Sequence, residues 1–186
     1  DEAIFCWGDQ GISDFIFNSW GASHPMLKGY YYRLYFGVTM CNFYLEECPE
    51  HDATMSAEVR FLRAYHYFQL LDCFGPNIPF LTVMSAENAP RAEGNHVFDF
   101  IESALLDIEA SLDAPKAKKS TDAGYGRADK AAAWMLLARL YLNAQVYTGT
   151  AQWDKAATYA KKVINESGRS LCYTHGSEFV TADGAT

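Results

Sequence analysis

A tetratricopeptide-like pattern in the last third of the chain constrains the fold most. Trp134, Leu137, Ala138 and Tyr141 have the spacing of the first helix of such a repeat, with alanine in the position that must be small for close helix packing. After a short turn, Trp153–Ala160 supplies an alanine-lined second helix, although the consensus phenylalanine and closing proline are absent. Because one repeat cannot bury its own apolar face, we expect neighbouring helices to stack beside it.

Apolar residues recur with helical spacing in five segments of the chain. These predicted helices span about 29–48, 55–74, 97–112, 128–146 and 153–166. The second ends at Gly75-Pro76, a combination that terminates helices. Proline interrupts the apolar run at 77–83, which predicts a brief extended crossing or an edge strand, and 116–126 has the polar, glycine-containing composition of a linker.

The fold class that follows is all-α, with tetratricopeptide-like repeats forming a short solenoid. Residues 28–186 are predicted to be the helical repeat region. Residues 1–27 fit no helical period, hold three glycines and several aromatic residues, and are predicted to form a long irregular loop. Long loops in compact domains are often functional.

Composition excludes several classes of function. The net charge of −8 would repel a phosphate backbone, so no nucleic-acid partner is expected. No apolar run approaches the ~20 residues of a membrane helix, and no signal-peptide pattern is present. The five cysteines are odd in number and lack metal-binding spacing, which predicts buried free thiols. They are Cys6, Cys41, Cys48, Cys73 and Cys172.

Catalytic patterns are likewise missing, and the chain is predicted not to be an enzyme. Its five histidines are far apart and none stands in a zinc-binding motif, so surface or core placement is favoured over a metal site. The acidic residues lie mostly at solvated helical positions, without the matched pair of carboxylates that glycoside hydrolysis requires. No cofactor is expected.

The first ten residues contain the most suggestive group of side chains. In an extended segment Phe5 and Trp7 would project on one side and form an apolar shelf. A sugar ring stacks on such a surface, while Asp9 or Gln10 could bind its hydroxyls. The alternative, in which both rings tuck under the loop as a small satellite core, is equally compatible with the sequence.

Several blocks resemble the SusD/RagB family, and in combination they cover nearly the whole chain. The blocks are residues 57–68, 71–75, 79–80, 126–132, 137–144, 146–149 and 159–164. The resemblance implies part of a longer, lipid-anchored protein on the outer face of the outer membrane. It also implies a glycan receptor that lies against a SusC-like TonB-dependent transporter, with its lipid anchor outside this chain.

The chain is most similar to the starch-binding members of that family, in which the stretch aligned with residues 1–10 carries two glucan-contacting tryptophans and an asparagine. Phe5 falls at the first tryptophan, Trp7 matches the second, and Gln10 replaces the asparagine. The resemblance therefore implies binding of starch or malto-oligosaccharides. Two alternatives stay open: another glycan bound by the same fold, or a repeat scaffold that grips a protein and binds no glycan.

Overall fold

The computed structural model describes residues 8–48, 52–116 and 121–170, and in these ranges the chain forms seven α-helices. The all-α prediction is confirmed. A single 3₁₀ turn, Glu109–Ser111, extends the fourth helix. The helices are α1 (Ile12–Ile16), α2 (Pro25–Glu47), α3 (Ala53–Phe74), α4 (His96–Ile108), α5 (Lys130–Leu142), α6 (Ala144–Thr148) and α7 (Trp153–Glu166).

Capping residues fix where the helices begin and end. The Asp52 carboxylate accepts a hydrogen bond from the backbone N–H of Met55 at 2.7 Å and so caps α3. Asp129 caps α5 in the same way, through the N–H of Ala132 at 3.1 Å. At the end of α3, Gly75 has φ of 85°, a value that favours glycine, and the proline that follows cannot continue the helix.

The core is one continuous cluster between stacked helices. Helix α3 packs against α2 on one side and α4 on the other, and α5 packs against α4 and most extensively against α7. The largest fully buried side chains of the core come from α3, α4 and α5. They include Tyr67, Phe68, Leu71, Ile101, Leu105, Leu137, Leu140 and Tyr141.

The tetratricopeptide-like pattern forms the α5–α7 pair as predicted. Trp134, Leu137, Ala138 and Tyr141 are all buried on α5. Ala156 is buried on the facing side of α7, where a larger residue would hold the two helices apart.

One polar latch joins α4, α5 and α7 through Tyr141. Its hydroxyl donates to Glu102 Oε1 at 2.7 Å, and Lys155 Nζ donates to the same oxygen at 2.9 Å. The Lys155 ammonium also lies 4.9 Å from the centre of the Tyr141 ring. The carboxylate of α4 thereby binds one donor from each of the other two helices.

A second latch repeats this arrangement seven residues after Glu102 and Lys155 and seven residues before Tyr141. Trp134 Nε1 donates to Glu109 Oε1 at 2.8 Å, and Lys162 Nζ donates to that oxygen at 2.7 Å. The Lys162 ammonium lies 4.6 Å from the Trp134 ring centre. Residues seven apart lie two turns away on the same helical face, so both latches occupy the same seam.

Both latch carboxylates are held in the charged form. Burial alone would raise the pKa of Glu102 and of Glu109. The hydrogen bonds and positive charge from the lysines, with the added donors of Tyr141 and Trp134, outweigh burial and lower both pKa values below the ordinary range.

Residues 77–83 form a non-helical segment that pairs briefly with residues 90–92. One isolated bridge pairs Pro79 with Arg91 and another pairs Asp113 with Asp129. Within the described ranges the chain forms no strand beyond these bridges. Tyr67 fixes segment 77–83, because its hydroxyl accepts from the N–H of Leu81 and donates to the carbonyl oxygen of the same residue. The segment forms no helix, as predicted, and the edge strand is not formed.

Two predicted boundaries were wrong. The segment 1–27 is not wholly irregular, since α1 lies within it and α2 begins at Pro25, where proline suits the first helical turn. The predicted helix 128–146 breaks at Asn143. Beyond this break Tyr147 is buried and its hydroxyl donates to Asp72 of α3 at 2.5 Å, a contact between residues 75 apart in sequence.

The predicted buried thiols are found only in part. Cys41 is buried, Cys48 is half-buried and Cys73 is exposed, and all three are free. The other two cysteines, Cys6 and Cys172, lie outside the described residues. None of the helices in the described ranges is both long and apolar enough to cross a membrane.

Candidate functional site

The predicted site falls at the N-terminal edge of the described chain. Phe5 and Trp7 lie outside the described residues. Asp9 and Gln10 are exposed in the turn that leads into α1, and the backbone N–H of Ile12 donates to the Asp9 carbonyl oxygen at 3.3 Å. Both polar side chains predicted to bind sugar hydroxyls are therefore accessible to a ligand.

His24, at the start of α2, holds this turn in place. Its ring Nε2 donates to the carbonyl oxygen of Gly11 at 3.0 Å and lies 3.3 Å from Asp14 Oδ2. The imidazole is 5% exposed, and its Nδ1 has no hydrogen-bond partner among the described residues. Because a carbonyl oxygen can only accept, Nε2 carries the proton of this hydrogen bond.

Gly11 is required at this contact for two reasons. Its φ of 89° lies in the left-handed region, where a side chain is strained. A Cβ at this position would also lie 2.5 Å from His24 Nε2, far inside contact distance. The turn that carries Gln10 is thus closely fitted against the histidine.

Aromatic rings extend from His24 to the surface. The Phe15 ring meets the His24 ring edge to face at 4.9 Å, and the Trp20 ring lies 5.4 Å from Phe15 at an interplanar angle of 36°. Trp20 is 44% exposed and Phe17 is 76% exposed. Segment 9–24 therefore presents aromatic and polar surface together.

His24 and Trp20 are the residues of this region that sequence reasoning did not assign to the site. Core placement was among the expectations for every histidine, and His24 is indeed buried. Its link to the turn joins residues 13 apart in a segment without periodicity, so no spacing pattern marks it.

His66 is half-buried, and burial, together with nearby Arg33, lowers its pKa.

Two of the clefts elsewhere on the described surface are relevant here. One, of about 220 Å³, lies between α2 and residues 81–89, but its Asn42 amide already donates to the carbonyl oxygens of Leu81 and Val83. The other is an almost wholly apolar groove of about 380 Å³ between α5 and α7. Met135, Leu142 and Trp153 are its large apolar side chains.

Carboxylates in the helical region serve packing rather than chemistry. Lysines hold the Glu102 and Glu109 carboxylates in the ionised form. These two carboxylates are therefore poorly suited to donate protons. Asp129 is buried and accepts from Arg169 at 2.7 Å. In the described ranges no group of three or more histidine, cysteine or acidic side chains could hold a metal ion.

Comparison with known proteins gives one family. Residues 2–142 match the SusD-like family model described as starch-binding and associating with the outer membrane. The chain is 39% identical to the starch-binding protein SusD of Bacteroides thetaiotaomicron over 98% of its own length. That alignment covers 33% of the relative, so the chain spans about a third of the relative's length.

Solved structures agree with this similarity. A SusD superfamily protein from Parabacteroides distasonis matches with a TM-score of 0.70 and 25% identity, over 86% of this chain and 36% of that one. A laminarin-binding SusD-like protein matches with a TM-score of 0.60 and 25% identity, over 73% of this chain and 29% of the other. The glycan named thus differs between relatives that share the fold.

Proposed function

This chain belongs to the SusD-like family, and from that premise we propose that the protein binds starch or malto-oligosaccharides at the cell surface without catalysing a reaction. The observation that carries the proposal is the 39% identity to a starch-binding protein over 98% of the chain. Members of the family are carbohydrate-binding proteins rather than enzymes.

The proposed site consists of Trp7 and Phe5 as stacking surfaces, with Gln10 and Asp9 as hydroxyl partners. Phenylalanine offers a smaller face than tryptophan and lacks the indole N–H, whereas glutamine offers the amide donor and acceptor of asparagine on a longer stem. Exposure of Asp9 and Gln10, and the fixed backbone at Gly11, support a preformed polar edge. Such a site binds by shape and stacking, with no covalent step.

The location and partner follow from the family. We propose that the protein is lipid-anchored on the outward face of the outer membrane and passes its glycan to a SusC-like TonB-dependent transporter. Copurification of the tagged full-length protein with a transporter of that class would support this arrangement. Recovery of the full-length protein in the soluble periplasmic fraction alone would contradict it.

Titration calorimetry on the full-length protein tests the site. We expect Trp7→Ala to weaken binding of maltoheptaose by roughly tenfold or more, as for the removal of a central aromatic anchor. The matched control is Trp153→Ala, since Trp153 is 60% exposed on α7 in the helical repeat region. Equal affinities of the Trp7→Ala variant and the unmutated protein would refute the site assignment.

Two alternatives are tested with a glycan panel. Because one structural relative is a laminarin-binding protein, the panel includes laminarin oligosaccharides beside the α-glucans. Stronger binding of a β-glucan would keep the receptor function and change its ligand. The apolar α5–α7 groove favours the other candidate, a protein-binding scaffold, which gains support if no glycan binds and a partner still copurifies.

A further inference from the structure

We propose that the exposed turn Phe17–Trp20 is a second glycan-contacting element, with Trp20 as a stacking surface for a further sugar ring of the same chain. This inference rests on the proposed function and adds to the site a subsite C-terminal to α1. Its ligand class is a pyranose oligosaccharide long enough to reach both turns.

The chemistry of the turn suits a sugar. Asn18 and Ser19 lie between the two aromatic residues, and all four positions are exposed. An indole face packs against the flat C–H surface of a pyranose, while a neighbouring amide and a hydroxyl can exchange hydrogen bonds with its ring substituents. Apolar faces with a few polar groups beside them are the usual composition of small-ligand sites.

The turn is held firmly, so little ordering would be needed on binding. Asn18 has φ of 50°, a left-handed conformation that asparagine tolerates better than most residues. The backbone N–H of Ser19 donates to the Asp14 carbonyl oxygen at 2.9 Å. The inner side of the indole lies on Phe15, with ring centres 5.4 Å apart. A preorganised surface loses less entropy when a ligand binds.

The second turn is connected to the first through His24. This imidazole contacts Phe15, on which Trp20 lies, and also donates to the Gly11 carbonyl next to Gln10. Buried and packed on both sides, it keeps the two exposed turns in a constant relative position. The turn that carries Gln10 and the turn that carries Trp20 therefore share one buried support.

Three other exposed aromatic residues in the described ranges, Tyr32, Phe36 and Trp153, lack these properties. The Lys28 ammonium lies 5.7 Å from the Tyr32 ring centre, and the Arg33 guanidinium lies 5.5 Å from that of Phe36, so charged side chains compete for those faces. Trp153 lines the apolar α5–α7 groove, which offers few polar groups to sugar hydroxyls. Trp20 combines an accessible ring with adjacent polar residues.

Calorimetry with two chain lengths tests the inference on the full-length protein. Trp20→Ala should weaken maltoheptaose binding about fivefold, the effect of losing about 1 kcal/mol of stacking. Maltotriose, as the shorter chain, should lose less than twofold if it occupies the Trp7 subsite alone. Trp20→Phe should recover most of the loss because it keeps a ring on Phe15, and Trp153→Ala should bind like the unmutated protein.

The outcomes separate this inference from the proposed function. Full maltoheptaose affinity in Trp20→Ala, together with weakened binding in Trp7→Ala, would overturn the second subsite and leave the first intact. Equal weakening for both chain lengths would also overturn it, because that pattern marks a general disturbance of the segment. Failure of the unmutated protein to bind maltoheptaose would remove the proposed starch-binding function itself.

Discussion

Replacing Tyr141 by phenylalanine removes one hydroxyl from the centre of the first latch and leaves the ring in place. That hydroxyl donates to Glu102 at 2.7 Å from a side chain that is 1% exposed. A hydrogen bond to a charged group contributes about 1.5–3 kcal/mol. Glu102 keeps Lys155 as a partner and its side chain is 22% exposed, so the low end applies. We expect the free energy of unfolding to fall by about 1.5 kcal/mol.

Denaturant unfolding, followed by circular dichroism at neutral pH, measures this loss. Tyr32→Phe is the control, because Tyr32 is 60% exposed and its replacement should change stability by less than about 0.5 kcal/mol. A cycle that includes Glu102→Ala, which removes both acceptor oxygens, isolates the contact from other effects of each substitution. If Tyr141→Phe is as stable as the control, or if the cycle shows no coupling, the latch does not hold the helices together.

Two further results follow from the described contacts. Gly11→Ala should destabilise the segment by about 2 kcal/mol, because it combines left-handed backbone strain with a clash against His24. Amide hydrogen exchange in the segment should therefore become faster. Gly21→Ala is the control, because its Cβ would meet nothing within 4 Å. The pKa values of Glu102 and Glu109 are lower in the folded state than in the unfolded state. The stability that these two carboxylates contribute is therefore fully present above the unfolded-state carboxyl pKa, and it is lost as the pH falls through their folded-state pKa values. Melting temperatures measured from pH 7 to pH 3 should fall less steeply in the Glu102→Gln, Glu109→Gln double variant than in the unmutated protein, and parallel curves would contradict this.

Helix positions were largely readable from local sequence. The predicted α7 boundaries agree with the observed Trp153–Glu166, and the predicted end of α3 agrees with Gly75-Pro76. These features depend on periodicity and capping within a few residues, which a single sequence displays directly. The α5–α7 repeat was predictable for the same reason.

The candidate site was predictable only in part. Asp9 and Gln10 were predicted as polar partners beside the Phe5–Trp7 shelf, Gln10 also from the resemblance, and both are exposed. Nothing in the spacing of residues 8–24 indicated that His24 would support the turn or that Trp20 would lie on Phe15. In an aperiodic loop, contacts depend on how the backbone folds back, which is decided by the elements around it.

The amino-acid sequence by itself determined the helical class, the span of α7, the end of α3 and the tetratricopeptide-like pair, because each depends on spacing and turn chemistry within one segment. Tertiary structure alone decided the latches across α4, α5 and α7, the break at Asn143 and the fit of His24 against Gly11. The contacts behind these features join residues that are 13 to 75 positions apart in sequence. Such a contact exists only once packing has brought the segments together.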